Sequence, residues 1–324
     1  MKSALAKVSG AISIAIGLMS GVACAKEVTL QTVSLFQPGM VLSQQFERFI
    51  EKVNAEGKGL VQINFVGGAS AVPPFEMGNA VSSGVVDMAY LPSPFYANLL
   101  PEAGAMALSE RTTQELRENG GWELMNELHN KKMNTWHLAR GADGVPSHLY
   151  VNKPVDKADL TGFTLRTTQL YRAFFEALHA TSIQTTPAEV YTALERGVVD
   201  GYGWPIQGVL DLGWQEVTKA RVDPGFYNAD ASILINLDKW KSLSDEQRDF
   251  LTKMGIWFES TNADNAAINA AEAKKQADAG MIVYSLEGEE REKWLHIARE
   301  AGWAAFEKIA PANAKILREK FAAN

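Results

Sequence analysis

The residue with the clearest chemistry is Arg166, near the end of the strand-like run Asp159–Thr168, DLTGFTLRTT. Ligands of open α/β sheets bind beyond the carboxyl ends of the strands, and a guanidinium fork matches a carboxylate with two parallel hydrogen bonds. Anion recognition is therefore open to it, although a strand arginine taken alone is ordinarily a solvated surface residue. Tyr202 and Trp204 follow in Asp200-Gly-Tyr-Gly-Trp-Pro205. A flat ring there can line a pocket or stack on an aromatic acid, or else pack as core beneath a hinge. Gln169, His148, Tyr150 and Tyr90 lie at predicted strand ends or just beyond, and their polar groups suit ligand oxygens as well as ordinary packing. Phe36 and Phe75 follow the first two predicted strands and offer an apolar wall. Asp230, with Asn228, precedes the predicted strand at Ala231, where it suits a ligand hydroxyl or, with backbone carbonyls, a cation.

Catalysis is the competing class. The chain has no G-x-S-x-G elbow, no phosphate-binding G-x-x-x-x-G-K-[ST] loop and no H-E-x-x-H pair. Its histidines, 129, 137, 148, 179 and 296, include no metal-type pair at helical spacing. An exported enzyme acting on organic acids stays as an alternative, because sites assemble in space.

The elements that must position these residues centre on Thr186–Pro205, TPAEVYTALERGVVDGYGWP. Thr186 as N-cap, Pro187 at the first helical position and Glu189 closing a capping box predict a helix that ends at Gly197. Val198-Val199 then reads as the start of a short buried strand. The unit occurs twice. A shift of 113 residues lays Pro74, Glu76, Ala80, Gly84-Val-Val-Asp87 and Pro92 on Pro187, Glu189, Ala193, Gly197-Val-Val-Asp200 and Pro205 without a gap. Each copy sits in a β-α-β-α-β run, which predicts two related lobes with parallel sheets covered on both faces and a site between them. Gln247–Ala279, alanine-rich and free of proline, reads as one long helix, either bridging the lobes or packing on the surface.

Met1–Ala25 reads as a cleavable secretory signal. Lys2 and Lys7 lead an apolar stretch, Val8–Val22, that is short for a membrane span, and Ala23-Cys24-Ala25 precedes Lys26. A lipoprotein reading of Cys24 is disfavoured by Gly21, where leucine is usual. Cleavage there removes the only cysteine, two lysines and no acid, leaving 29 Lys+Arg against 38 Asp+Glu and a net charge of −9. That balance argues against a nucleic-acid partner. No later apolar run is long enough to span a bilayer, so the mature protein is expected to be periplasmic and not itself membrane-spanning.

Leu165-Arg166, Arg172–Leu178, Glu189–Leu194, Gly197–Gly201, Asn152-Lys-Pro154 and Trp240 before Leu243-Ser244 occur in an order and spacing that resemble the DctP-like extracytoplasmic solute receptors of TRAP transporters. The resemblance covers nearly all of the mature chain. It implies an α/β, two-lobed Venus-flytrap receptor with a long helix bent across both lobes. Such a receptor delivers an organic anion to a permease of small and large membrane subunits. The expected division is 26–145 plus 231–270 for lobe I and 146–230 plus 271–324 for lobe II. The resemblance also makes Arg166 the match of the family's ligand-clamping arginine. Many relatives read D-G-Q-E-N-P where this chain has Tyr202-Gly-Trp204, a departure similar to the branch that binds 2-oxo or 2-hydroxy acids. With Gly203 in place of the usual acidic residue, no metal and no cofactor are expected. Where relatives often carry a second basic residue this chain has Pro146-Ser147, and Arg140 nearby is expected at the surface. One strong positive charge favours a monocarboxylate, although a sulfonate suits the same arginine. A sensor feeding a membrane kinase would need the same cleft.

Overall fold

A computed structural model describes residues 26–323; the proposed signal and the only cysteine lie outside them. The chain runs β1 (Val28–Ser34), α1 (Val41–Glu56), β2 (Val61–Gly67), α2 (Met77–Ser82), β3 (Met88–Leu91), α3 (Thr113–Asn119), α4 (Gly121–Met133) and β4 (Thr135–Gly141). There follow β5 (Ser147–Val151), β6 (Thr164–Thr167), α5 (Gln169–Ala177), β7 (Thr181–Gln184), α6 (Pro187–Glu195), β8 (Gly201–Pro205) and β9 (Ala220–Asp223). The last stretch is β10 (Ala231–Asn236), α7 (Leu237–Ser242), α8 (Asp245–Ser260), α9 (Asn265–Asp278), β11 (Ile282–Ser285), α10 (Gly288–Ile309) and α11 (Pro311–Phe321).

The strands form two sheets, ordered β2-β1-β3-β10-β4 and β11-β9-β5-β8-β6-β7. The architecture is the expected two-lobed α/β one, but neither sheet is purely parallel. β10 runs antiparallel to β3 and β4, and β5 antiparallel to β8 and β9. The β-α-β runs on either side stay parallel because helices connect them. The reversed strands are those entered directly from the other sheet.

The repeated sequence unit is a repeated structural device. In each copy the glycine takes a left-handed conformation, φ +77° at Gly84 and +65° at Gly197. The next two amides turn back, Val85 and Val86 onto Ala80 O, Val198 and Val199 onto Ala193 O. This corrects the expected strand start: those amides belong to the helix cap, so Val85 and Val198 stand 74% and 53% exposed and each strand begins after the aspartate. The aspartates then act alike. Asp87 exchanges two hydrogen bonds with Gln31, its own N–H donating to Gln31 O and its Oδ2 accepting from Gln31 N, both at 2.8 Å. Asp200 does the same with Thr164, at 2.7 and 2.9 Å. Each also meets a lysine, Lys239 and Lys153 respectively.

The long helix is broken once. α8 packs on β4 and α1, a 3₁₀ turn spans Thr261–Asp264, and α9 continues to the second sheet, where Gln276 hydrogen-bonds Tyr150 of β5 and Arg221 of β9. Thr261 Oγ1 donates to Phe258 O at 2.7 Å, the back-bonding that bends helices. At the bend, Asn262, Asn265 and Asn269 donate to the carbonyls of Arg140, Asp143 and Gly144, gripping the segment that leaves β4 for β5.

Asp200→Ala should strip Thr164 N–H of its charged acceptor and lower unfolding free energy by about 1–3 kcal/mol. Urea denaturation of the unliganded protein measures this, and an unchanged midpoint would show that the aspartate is not what ties the copy together.

Candidate functional site

A cavity lies between the two sheets, walled by Phe36, Leu42 and Phe95 from one side and by Leu170, Tyr171 and Trp204 from the other. Pro92 and Pro205, the matching ends of the repeated unit, both line it. The duplication therefore delivers equivalent chain positions to opposite walls.

Arg166 enters from β6, flanked by Ile183 of β7 and Tyr202 of β8. It is fully buried. Its Nε and Nη2 donate to Thr185 O at 3.2 and 2.8 Å, while Nη1 has no partner among the described residues. Burial pulls its pKa down to about 10, which leaves it cationic at neutral pH. Trp204 lies beside it, ring centre 5.9 Å from the guanidinium carbon, held edge-on against Trp214 at 4.8 Å. Its indole Nε1 is buried and unpartnered, as is Oγ1 of Thr168, the N-cap of α5. Three residues lining an otherwise largely apolar cavity thus each carry a buried donor without a partner among the described residues, a set that can receive a small anion.

Asp230 also lines the cavity. Its Oδ2 and Oδ1 accept from Ser93 N and Oγ at 2.9 and 3.1 Å, and burial pushes its carboxyl above the usual range. Asn228 is in the wall, with its amide donating to Ser109 O. Phe75 is one layer back, stacked on Phe95 at 5.1 Å.

The other candidates lie elsewhere. Tyr202 is buried under Trp214, its hydroxyl paired with Thr218 Oγ1 at 3.1 Å. Tyr150 stacks on Tyr202 and accepts from Gln276. His148 Nδ1 faces Val222 O and Asp223 Oδ1, at 3.1 and 3.0 Å. Tyr90 stacks on Phe46 at 4.6 Å and lines a separate cleft along α1. Gln169, exposed at the start of α5, faces a neighbouring groove with Ser93 and Pro94.

Arg140 is a correction: expected at the surface, it is fully buried, donating to Met106 O at 3.0 Å with Nη1 3.7 Å from Asp143. Its strand is covered by α8, a contact between distant segments that local pattern does not show.

Sequence reasoning missed Thr168 and Tyr171. Thr168 carried a signal, a threonine directly before a helical run. Tyr171, whose hydroxyl pairs with Ser147 Oγ at 3.1 Å, carried none. Asp211 was missed too. From beyond β8 its Oδ2 accepts Val41 N at 2.7 Å, capping α1 where Met40 supplies no side-chain cap.

The model of the family described as "Bacterial extracellular solute-binding protein, family 7" (DctP) matches residues 34–308. The chain belongs to that family. It is a family of solute-binding proteins, not enzymes. A solute-binding protein of Roseobacter denitrificans is 22% identical over 284 residues, 85% of this chain and 82% of that one. A TRAP periplasmic solute-binding protein from Desulfovibrio salexigens, solved with orotic acid, shares the fold with a TM-score of 0.81 at 20% identity, covering 90% of this chain and 98% of its own. So does a marine-metagenome TRAP solute-binding protein specific for aromatic acids, in complex with 3-hydroxybenzoate. Its TM-score is 0.78 at 23% identity, with 91% and 97% covered. The resemblance read from the sequence holds for family and fold.

Gly203 shows why an acidic side chain is absent beside Trp204 in this family member. A Cβ there would sit 2.6 Å from the Tyr171 ring and 3.1 Å from Phe175. Gly203→Ala should therefore displace Tyr171 from the cavity wall and cost about 1–3 kcal/mol of stability. Melting and ligand titration both unchanged from wild type would show that the rings yield freely.

Proposed function

We propose that this chain is the periplasmic receptor of a TRAP transporter, closing over a small organic monocarboxylate and delivering it to the small and large membrane subunits of the permease. The observation that carries the reading is that Arg166, Trp204 and Thr168 line one cavity and each holds a buried polar atom, Nη1, Nε1 and Oγ1, without a partner among the described residues. Two of the five guanidinium N–H groups are spent on Thr185 O. Both hydrogens of Nη1 and one of Nη2 remain, so a carboxylate is met by the end of the fork, with the indole and the threonine hydroxyl available to its oxygens. Phe36, Leu42, Phe95 and Leu170 then suit a flat or compact apolar body, as in aromatic, 2-oxo and 2-hydroxy acids.

Membership of the family supports the receptor role, and the orotate and 3-hydroxybenzoate bound by its structural relatives support the acid class. Closure brings lobe I, 26–145 with 231–270, against lobe II, 146–230 with 271–324. The helical tract and the two crossing segments act as the hinge. Export through residues 1–25 places the receptor in the periplasm.

Thermal unfolding of protein refolded free of ligand, against aromatic, 2-oxo, 2-hydroxy, dicarboxylic and sugar acids, sulfonates and neutral sugars, tests the assignment. A ligand at about a thousand times its dissociation constant adds roughly 4 kcal/mol. Stabilisation by one class of monocarboxylate is the expected result, and stabilisation by neutral sugars alone would sink it. Arg166→Ala should weaken the responding acid at least about 100-fold by calorimetry, near 3 kcal/mol. A change within about threefold, under 1 kcal/mol, would remove Arg166 as the anchor.

A further inference from the structure

The cavity that holds Arg166 also holds a carboxylate. Asp230 is 3% exposed, lies just before β10, and accepts one hydrogen bond on each oxygen, both from Ser93. Each oxygen keeps acceptor capacity. The charged and titratable groups around it are Arg140 from β4, Tyr90 from β3, Tyr96 in the loop after it, and Tyr171 from α5. Arg166 stands in the wall of the same cavity from β6. None of these donates to Asp230. Arg140 donates to Met106 O, Tyr171 pairs with Ser147, and Tyr96 faces His129.

The reading of the site as a monocarboxylate receptor, on which this inference rests, brings a second negative charge into that enclosure. Arg166 neutralises one carboxylate. Arg140, the other buried cation near Asp230, already faces Asp143 at 3.7 Å, so with the ligand bound two cations stand against three carboxylates, and like charges held close in low dielectric do not all stay ionised. The conflict has two chemical resolutions. A ligand hydroxyl or amide N–H can donate to Asp230, stabilising it as the anion. Otherwise a proton from solvent must neutralise it.

We propose that Asp230 reads the end of the ligand remote from its carboxylate, accepting a hydrogen bond from acids with a donor there and taking up one proton when an acid without a donor binds. Asp230 is thus a specificity residue whose preference depends on pH. Burial already disfavours its ionised form, with the Ser93 hydrogen bonds and Arg140 acting in the opposite direction. A bound anion without a donor adds to the burial effect, and a donor adds to the Ser93 effect.

The sign follows from linkage. If binding is accompanied by proton uptake, affinity falls as pH rises, by up to about tenfold per pH unit while Asp230 is ionised in the empty receptor and protonated in the complex. Acids carrying a donor should bind with no such slope. Two pairs matched in shape and carboxylate isolate the effect, 3-hydroxybenzoate against benzoate and 3-hydroxycyclopentanecarboxylate against cyclopentanecarboxylate.

Isothermal titration from about pH 6 to 9, in buffers of different ionisation enthalpy, counts protons directly. Benzoate and cyclopentanecarboxylate should take up close to one proton and weaken as pH rises. Their partners should take up almost none. In Asp230→Asn, uptake and slope should vanish and the members of each pair should converge. Equal uptake within each pair, no uptake by either member at any pH, or uptake that survives Asp230→Asn would overturn the role of Asp230 while leaving the receptor intact. Binding by none of the four, with stabilisation by neutral sugars only, would overturn the monocarboxylate reading itself. The wild-type buffer comparison decides the matter even if the variant fails to fold.

Discussion

The site depends on how the guanidinium of Arg166 is held. A long flexible cation buried without support would be neither stable nor directed. Here the support is Thr185 O, which takes Nε and Nη2 and so fixes the plane of the fork. Thr185 itself is fixed because the next residue opens α6 through a capping box, with Thr186 N and Oγ1 both donating to Glu189 Oε2 at 2.8 and 2.7 Å. Glu189 stays ionised more readily than an ordinary glutamate because Thr186 donates to it, with a smaller contribution from Arg166. Helix capping, strand pairing and the aim of one nitrogen are therefore a single connected arrangement.

This explains which parts were legible in the sequence. The capping box, the glycine stops and the duplicated spacing are local, and they located α6, α2 and the two lobes. Arg166 and Trp204 were readable because they lie near the ends of β6 and β8, which had to face the cleft. Tyr202 sits on β8 too, and Tyr150 and His148 on the neighbouring β5, but their destination depends on register and on which element covers each face. Trp214, Gln276 and Asp223 are what hold them, and all three come from distant segments. Arg140 illustrates the same limit, since only the packing of α8 across β4 buries it.

The helical tract shows the limit differently. Composition alone gave one uninterrupted helix. The bend at Thr261–Asp264 arises from polar side chains that hydrogen-bond to backbone instead of water, Thr261 to its own helix and the three asparagines to the crossing chain. A rule based on apolar periodicity cannot register that competition. The bend sits where the chain changes sheets, which joins the spine of the molecule to the back of the cavity through the segment that carries Ala142.

Asp211 gives α1 the cap that its own sequence lacks, and it does so from the other sheet. An N-cap contributes about 1 kcal/mol to a helix. In the closure proposed above, parting of the halves would lose that contribution and return Val41 N–H to water, so the secondary structure of one half would be slightly more stable with the other half near. On that proposal, part of the bias toward a closed population would reside in the empty protein. Since a ligand shifts an equilibrium only by its differential affinity for the two states, a small acid with few atoms has less of that work left to do.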